Sequence, residues 1–135
     1  MTSDVLISDT HPVVWYALKK HRKLSSRVRR AFDAAISGQG AIYVPSIVVF
    51  EVSLLMKKDR IKPPVSFDRW VAELFANPGI YPLHFEESDS VISHGLSFTD
   101  DPFDTMIVAS ALRLDCPLIT NDSLIHEKHP CEIIW

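Results

Sequence analysis

Residues 5–20 read VLISDTHPVVWYALKK. The β-branched run Val5 to Ser8 suits a short buried strand. It stops at Asp9-Thr10-His11-Pro12, where Pro12 fits the first turn of a helix continuing through Lys20. One strand therefore feeds one helix, with an acid at the junction. The same grammar recurs in AIYVP (residues 41–45), followed by IVVFEVSLLMKK with Ser46 as its cap, and in PLIT (residues 117–120), which ends at Asn121-Asp122. Between them lie helical stretches: RVRRAFDAAIS, capped by Ser25 or Ser26 and stopped by Gly38 and Gly40; FDRWVAELFA, opened by Ser66; a short helix around residues 90–96; and PFDTMIVASALRL. IYPLHF is a weak strand, and Pro82 puts it at a sheet edge because it lacks a donor. EIIW at residues 132–135 offers one more. Strands alternating with helices predict an α/β fold on a mainly parallel sheet, whose ligands bind beyond the carboxyl ends of the strands.

The 135 residues, 47% of them hydrophobic, are enough for one globular domain spanning residues 1–135 with its own core. A net charge of −3 argues against a general polyanion binder, yet half of the fourteen basic residues fall in KKHRKLSSRVRR, residues 19–30. Two cysteines are too few for a disulfide scaffold and read as small core residues in a reducing cytoplasm. The start MTSDVLISDT does not look like a signal peptide, and no apolar run is long enough to cross a membrane.

Acids gather where strands should end. Asp9 closes the first strand and Asp122 follows a later one. Asp104 sits in the first turn of an apolar helix behind Asp100 and Asp101 in TDDPFDTMIVASA. Capping explains one such acid, and Asp100 is the expected cap; three together call for a positive charge. Glu51 is set among apolar neighbours in SIVVFEVSLLM, where an unpaired buried carboxylate is costly. It either turns to solvent or Lys58, or faces the same sheet edge. Clustered Asp and Glu without His or Cys suit Mg²⁺ or Mn²⁺ and suit zinc poorly. Such ions activate water against phosphodiesters.

ISDTHPVVWYAL, VPSIVVFEVSLL, DDPFDTMIVASAL and CPLITND fall in an order and spacing that resembles PIN-domain ribonucleases, nearest to VapC-type toxins of toxin–antitoxin pairs. The resemblance implies a five-stranded sheet flanked by helices, Mg²⁺- or Mn²⁺-dependent cleavage of RNA, an antitoxin protein partner and a homodimer. It places the family's catalytic, metal-binding quartet on Asp9, Glu51, Asp104 and Asp122, with Asp101 as a further metal ligand and Thr120 and Thr10 as auxiliary polar residues. One departure stands out: where DPFD is usually followed by Arg, this chain has Thr105. A catalytically weak or inactive PIN-like module that only binds RNA or an antitoxin is therefore the alternative.

The basic run has no interleaved aromatics, so it offers phosphate contact by Lys20, Arg22 and Arg27, or else a solvated face. His11 reads as a helix-start residue rather than a base. Trp15, Tyr16, Trp70 and Phe75 read as core or interface rather than as a stacking platform, and RWVAELF is one candidate dimer face. Aspartyl-phosphate chemistry is disfavoured, because the first strand lacks D-x-D and ITNDSL supplies no late Lys.

Overall fold

Two strand-to-helix junctions organise the molecule, a computed structural model that describes residues 5–135. β1 (Val5–Ser8) passes directly into α1 (Thr10–Ala17), and β2 (Ala41–Pro45) into α3 (Ser46–Lys57). Both strands are too short and too apolar to do anything but fill the centre of a sheet. α2 (Ser26–Ile36) links these units. α4 (Phe67–Phe75), β3 (Ile80–Leu83), α5 (Glu87–His94) and α6 (Pro102–Leu114) follow. The chain closes with β4 (Leu118–Ile119), α7 (Ser123–Lys128) and β5 (Ile133–Ile134).

The five strands lie in the order β3-β2-β1-β4-β5, and every pairing is parallel. From β1 the chain winds outward to β2 and β3, then returns to the other side of β1 for β4 and β5. The direction of winding thus reverses between β1 and β4. A crevice opens at the carboxyl ends of two strands at such a point. Ile7, Val44, Leu118 and Ile119 are fully buried in the sheet, and Val48, Val52, Ile107 and Val108 bring α3 and α6 onto the same core.

Several boundaries depart from the sequence reading. α1 ends at Ala17, because Lys19 adopts φ 60°, and the start of the basic segment becomes a 3-10 turn, His21–Lys23. Pro45, not Ser46, is the N-cap of α3; the Ser46 hydroxyl instead donates to the Leu83 carbonyl at 3.2 Å, tying α3 to β3. α5 begins at Glu87, earlier than expected, behind a capping box of Glu86 and Asp89. α7 has no counterpart in the sequence reading. β3 sits at the sheet edge as Pro82 required. Gly79, just before it, cannot be replaced: a Cβ there would lie 2.3 Å from the carbonyl oxygens of Ala35 and Gly40. Cys131 is buried and Cys116 half-buried, both as free thiols, and burial pushes Cys131 up to about 11. Trp70 and Leu74 of α4 pack into the core, so RWVAELF is no free apolar face.

Candidate active site

Asp9 leaves the end of β1 as the N-cap of α1 and is only 7% exposed. Its Oδ1 accepts from the Thr10 amide at 2.7 Å, and its Oδ2 from the Thr120 hydroxyl, also at 2.7 Å. Thr120 stands at the end of β4, across the point where the winding reverses. Asp122, two residues on, caps α7 by accepting from the Ile125 amide at 2.9 Å. Glu51, in the second turn of α3, accepts from the Thr10 hydroxyl. Asp104 lies in the first turn of α6. Its N-cap is Asp101, whose Oδ1 accepts from the amides of Phe103 and Asp104 at 2.8 and 3.3 Å. The expectation that Asp100 caps this helix is corrected: Pro102 occupies the first turn, so the cap falls on the residue directly before it.

Asp9, Glu51, Asp101, Asp104 and Asp122 line one cleft of about 360 Å³, together with His11, Pro12, Trp15 and Asn121. The structure therefore brings together the five acids expected to hold a metal, while Asp100, named beside them, does not line the cleft. Burial, and then Asp101, Asp9, Asp122 and Glu51 in turn, push Asp104 up to about 7. Burial also raises Asp9 against the hydrogen bonds from Thr120 and Thr10 that pull it down. It raises Glu51 likewise, with the Thr10 bond opposing and Asp9 adding to the rise. Among the described residues, no Lys or Arg pairs with any of these acids.

Nor, among the described residues, do three acidic, histidine or cysteine side chains stand close enough to share an ion as they are. The donors nonetheless suit a hard divalent cation, since the acids supply only oxygen. Glu51, Asp104 and Asp122 are half-buried, Asp101 is exposed, and the buried Asp9 is held by one neutral partner per oxygen. The donor set thus fits a hard divalent cation chemically.

Other expectations fared differently. Lys20, Arg22 and Arg27 are exposed, and none lines the cleft. Thr105 is buried, its hydroxyl donating to the Pro102 carbonyl at 3.2 Å. The sequence reading missed His126, whose Nε2 meets the Thr120 carbonyl at 2.7 Å from α7, and Trp15, which lines the cleft. A helix of six residues leaves too little periodicity to reveal His126. A second cavity of about 440 Å³, among Val13, Tyr16, Phe32, Trp70, Leu74 and Ile80, contains none of these acids.

The fold is thus a parallel α/β sheet with five acids lining a cleft where its winding reverses. The family model described as PIN domain matches residues 6–128, and the chain belongs to that family. Ribonuclease VapC22 of Mycobacterium tuberculosis is 26% identical over 135 residues, covering 96% of this chain and 98% of that protein. VapBC2 from Rickettsia felis, solved bound to a DNA fragment from their promoter, has the same fold, with a TM-score of 0.70 and 14% identity over 97% of this chain and 98% of that one. DNA-bound VapBC from Salmonella typhimurium gives a TM-score of 0.66 at 15% identity, over 99% and 98%.

Proposed function

We propose that this chain is a divalent-metal-dependent endoribonuclease, the toxin of a toxin–antitoxin pair, acting in the cytoplasm. One observation carries the reading: Asp9, Glu51, Asp101, Asp104 and Asp122 line a single cleft, and among the described residues no Lys or Arg pairs with any of them. The ribonuclease name of the relative supports the reaction, and the VapBC complexes support an antitoxin partner.

Asp9, Glu51, Asp104 and Asp122 would hold Mg²⁺ or Mn²⁺, with Asp101 offering the oxygen its capping leaves unused. When bound, the ion supplies electrophilic assistance to the phosphodiester and lowers the pKa of water. The chain's own part is orientation. The Thr120 hydroxyl and Thr10 amide fix both oxygens of Asp9, the Thr10 hydroxyl fixes Glu51, and His126 braces the Thr120 backbone. Hydrogen-bonded partners of this kind hold ligands in register.

The test is cleavage of a structured RNA with Mg²⁺ or Mn²⁺ against an EDTA control, with circular dichroism on every variant. Asp104→Asn keeps the shape and removes the charge, so cleavage should disappear from a folded protein. The buried Thr105, where the family resemblance expects Arg, favours the second reading of a non-catalytic binding module. No metal-dependent cleavage by the folded parent would decide for that module, whereas parental cleavage by folded Asp104→Asn would remove Asp104 from the catalytic set.

A further inference from the structure

The cleft has an aromatic wall that the acids do not explain. Trp15 lines it from α1, six residues beyond Asp9, or about 9 Å along the helix. That span is one a nucleotide next to a scissile phosphate covers. Its neighbour Tyr16 is fully engaged, stacked between His21 at 5.0 Å and Phe32 at 4.8 Å, with interplanar angles of 15° and 17°. Trp15 differs. His11 meets it tilted by 49° and Trp135 at 73°, so among the described residues no ring stacks parallel on the indole. The Lys23 ammonium lies over the indole ring, 5.4 Å from its centroid. The chain reversal at Lys19 brings it there.

Resting on the ribonuclease reading, we infer that Trp15 and Lys23 form a nucleobase subsite beside the acid cleft. The indole stacks one base of single-stranded RNA, and Lys23 takes the adjoining phosphate. Acids that bind cations repel a polyanion, so a positive charge must meet the strand where it enters. An indole flanked by an ammonium is the pairing that grips a base and its phosphate without reading sequence. The basic run lacks aromatics of its own, and the fold supplies one from α1.

The test uses the full-length Asp104→Asn chain with Mg²⁺, after confirming that the parent cuts RNA and the variant does not. A parent that does not cut sinks the ribonuclease reading, and a variant that cuts sinks only the role of Asp104. In either case the binding comparison still stands when made in EDTA. Fluorescence anisotropy then measures a twelve-nucleotide single-stranded RNA and an abasic ribose-phosphate oligomer of equal length, each with and without Trp15→Leu. Leucine keeps apolar bulk and loses the π-face. The substitution should weaken RNA binding about tenfold, or about 1.4 kcal/mol, within the range for one stacked base. Binding of the abasic oligomer should hold, and Trp15→Phe should recover most of the RNA affinity. Lys23→Gln should weaken both oligomers and flatten the salt dependence by about one unit of log–log slope. If Trp15→Leu does not fold, tryptophan emission decides the same question, read as the difference between the Asp104→Asn chain and its Trp15→Phe variant because the chain has three tryptophans: RNA quenches that difference and the abasic oligomer does not. Equal loss for both oligomers, no loss for either, or no quenching overturns the subsite, including the case in which Trp15 merely packs the terminal strand or meets a protein partner.

Discussion

Two buried aspartates show how differently one residue type can be housed. Asp89 is 1% exposed, yet Arg113 donates to it through Nε at 2.5 Å and Nη2 at 3.3 Å, and the Glu86 amide adds a third bond at 3.0 Å. Asp9 is almost as buried and also fully hydrogen-bonded, but only by a neutral amide and a neutral hydroxyl. Satisfying lone pairs is not the same as balancing charge. The α5–α6 contact carries its own counter-ion, so its acid holds structure together. The cleft gathers five acids and no Lys or Arg partner among the described residues, so its acids await one.

The sharpest way to break this contrast is to delete an acid from each side. Asp89→Ala removes the main partner of the half-buried Arg113, which keeps Glu86 at 3.4 Å, and should cost about 1–3 kcal/mol of stability in urea unfolding. Asp104→Asn should raise metal-free stability instead, by relieving repulsion. If both variants are destabilised alike, the two regions do not differ in kind. For activity, Asp9→Asn should lower RNA cleavage by roughly a hundredfold or more, and Thr120→Val, which only frees Asp9, by about tenfold to a hundredfold.

Supplying the missing charge should work in the same direction. Mg²⁺ at a hundred times its Kd should stabilise the fold by about 2.7 kcal/mol, measured by thermal melting, while Na⁺ at equal ionic strength does much less. Equal responses to the two salts would remove the metal site. The pH dependence follows from Asp104. Its folded pKa is raised from 3.8 to about 7, so the folded state holds a proton that the unfolded state has released. Metal-free stability should therefore be highest below pH 3.8 as far as this group is concerned, and fall as pH rises to about 7. Asp104→Asn should flatten that slope. The smallest expected effect belongs to the exposed basic segment. Neutralising Lys20, Arg22 and Arg27 should flatten the salt dependence of RNA binding by about one unit per lost contact. An unchanged slope would leave these residues as a solvated face.

What could be read from sequence was what local chemistry decides. Strand-to-helix junctions put Asp9 and Glu51 at the right sheet edge, and Pro82 announced the edge strand. All five acids were found because each sits within a turn or two of a strand end or helix start. Non-local geometry was hidden. Lys23 reaches Trp15 only because Lys19 reverses the chain with φ 60°, and nothing in KKHRKLSSRVRR signals that partner. α7 was missed because six residues give less than two helical turns of pattern. The misplaced cap at Asp100 was avoidable, since Pro102 in the first turn already pointed to Asp101.

Three of the cleft acids, Asp9, Asp101 and Asp122, are also the caps of α1, α6 and α7. This double duty shapes the mutations that the lineage of such a gene can accept. Most replacements at these positions remove a helix start together with the acid, so they are purged as folding failures. Asparagine caps as well as aspartate does while losing the charge. It is also one nucleotide change away. Silenced descendants of this protein should therefore persist as folded chains bearing Asn at these positions, and such an Asn marks a copy that has kept its shape and given up its chemistry.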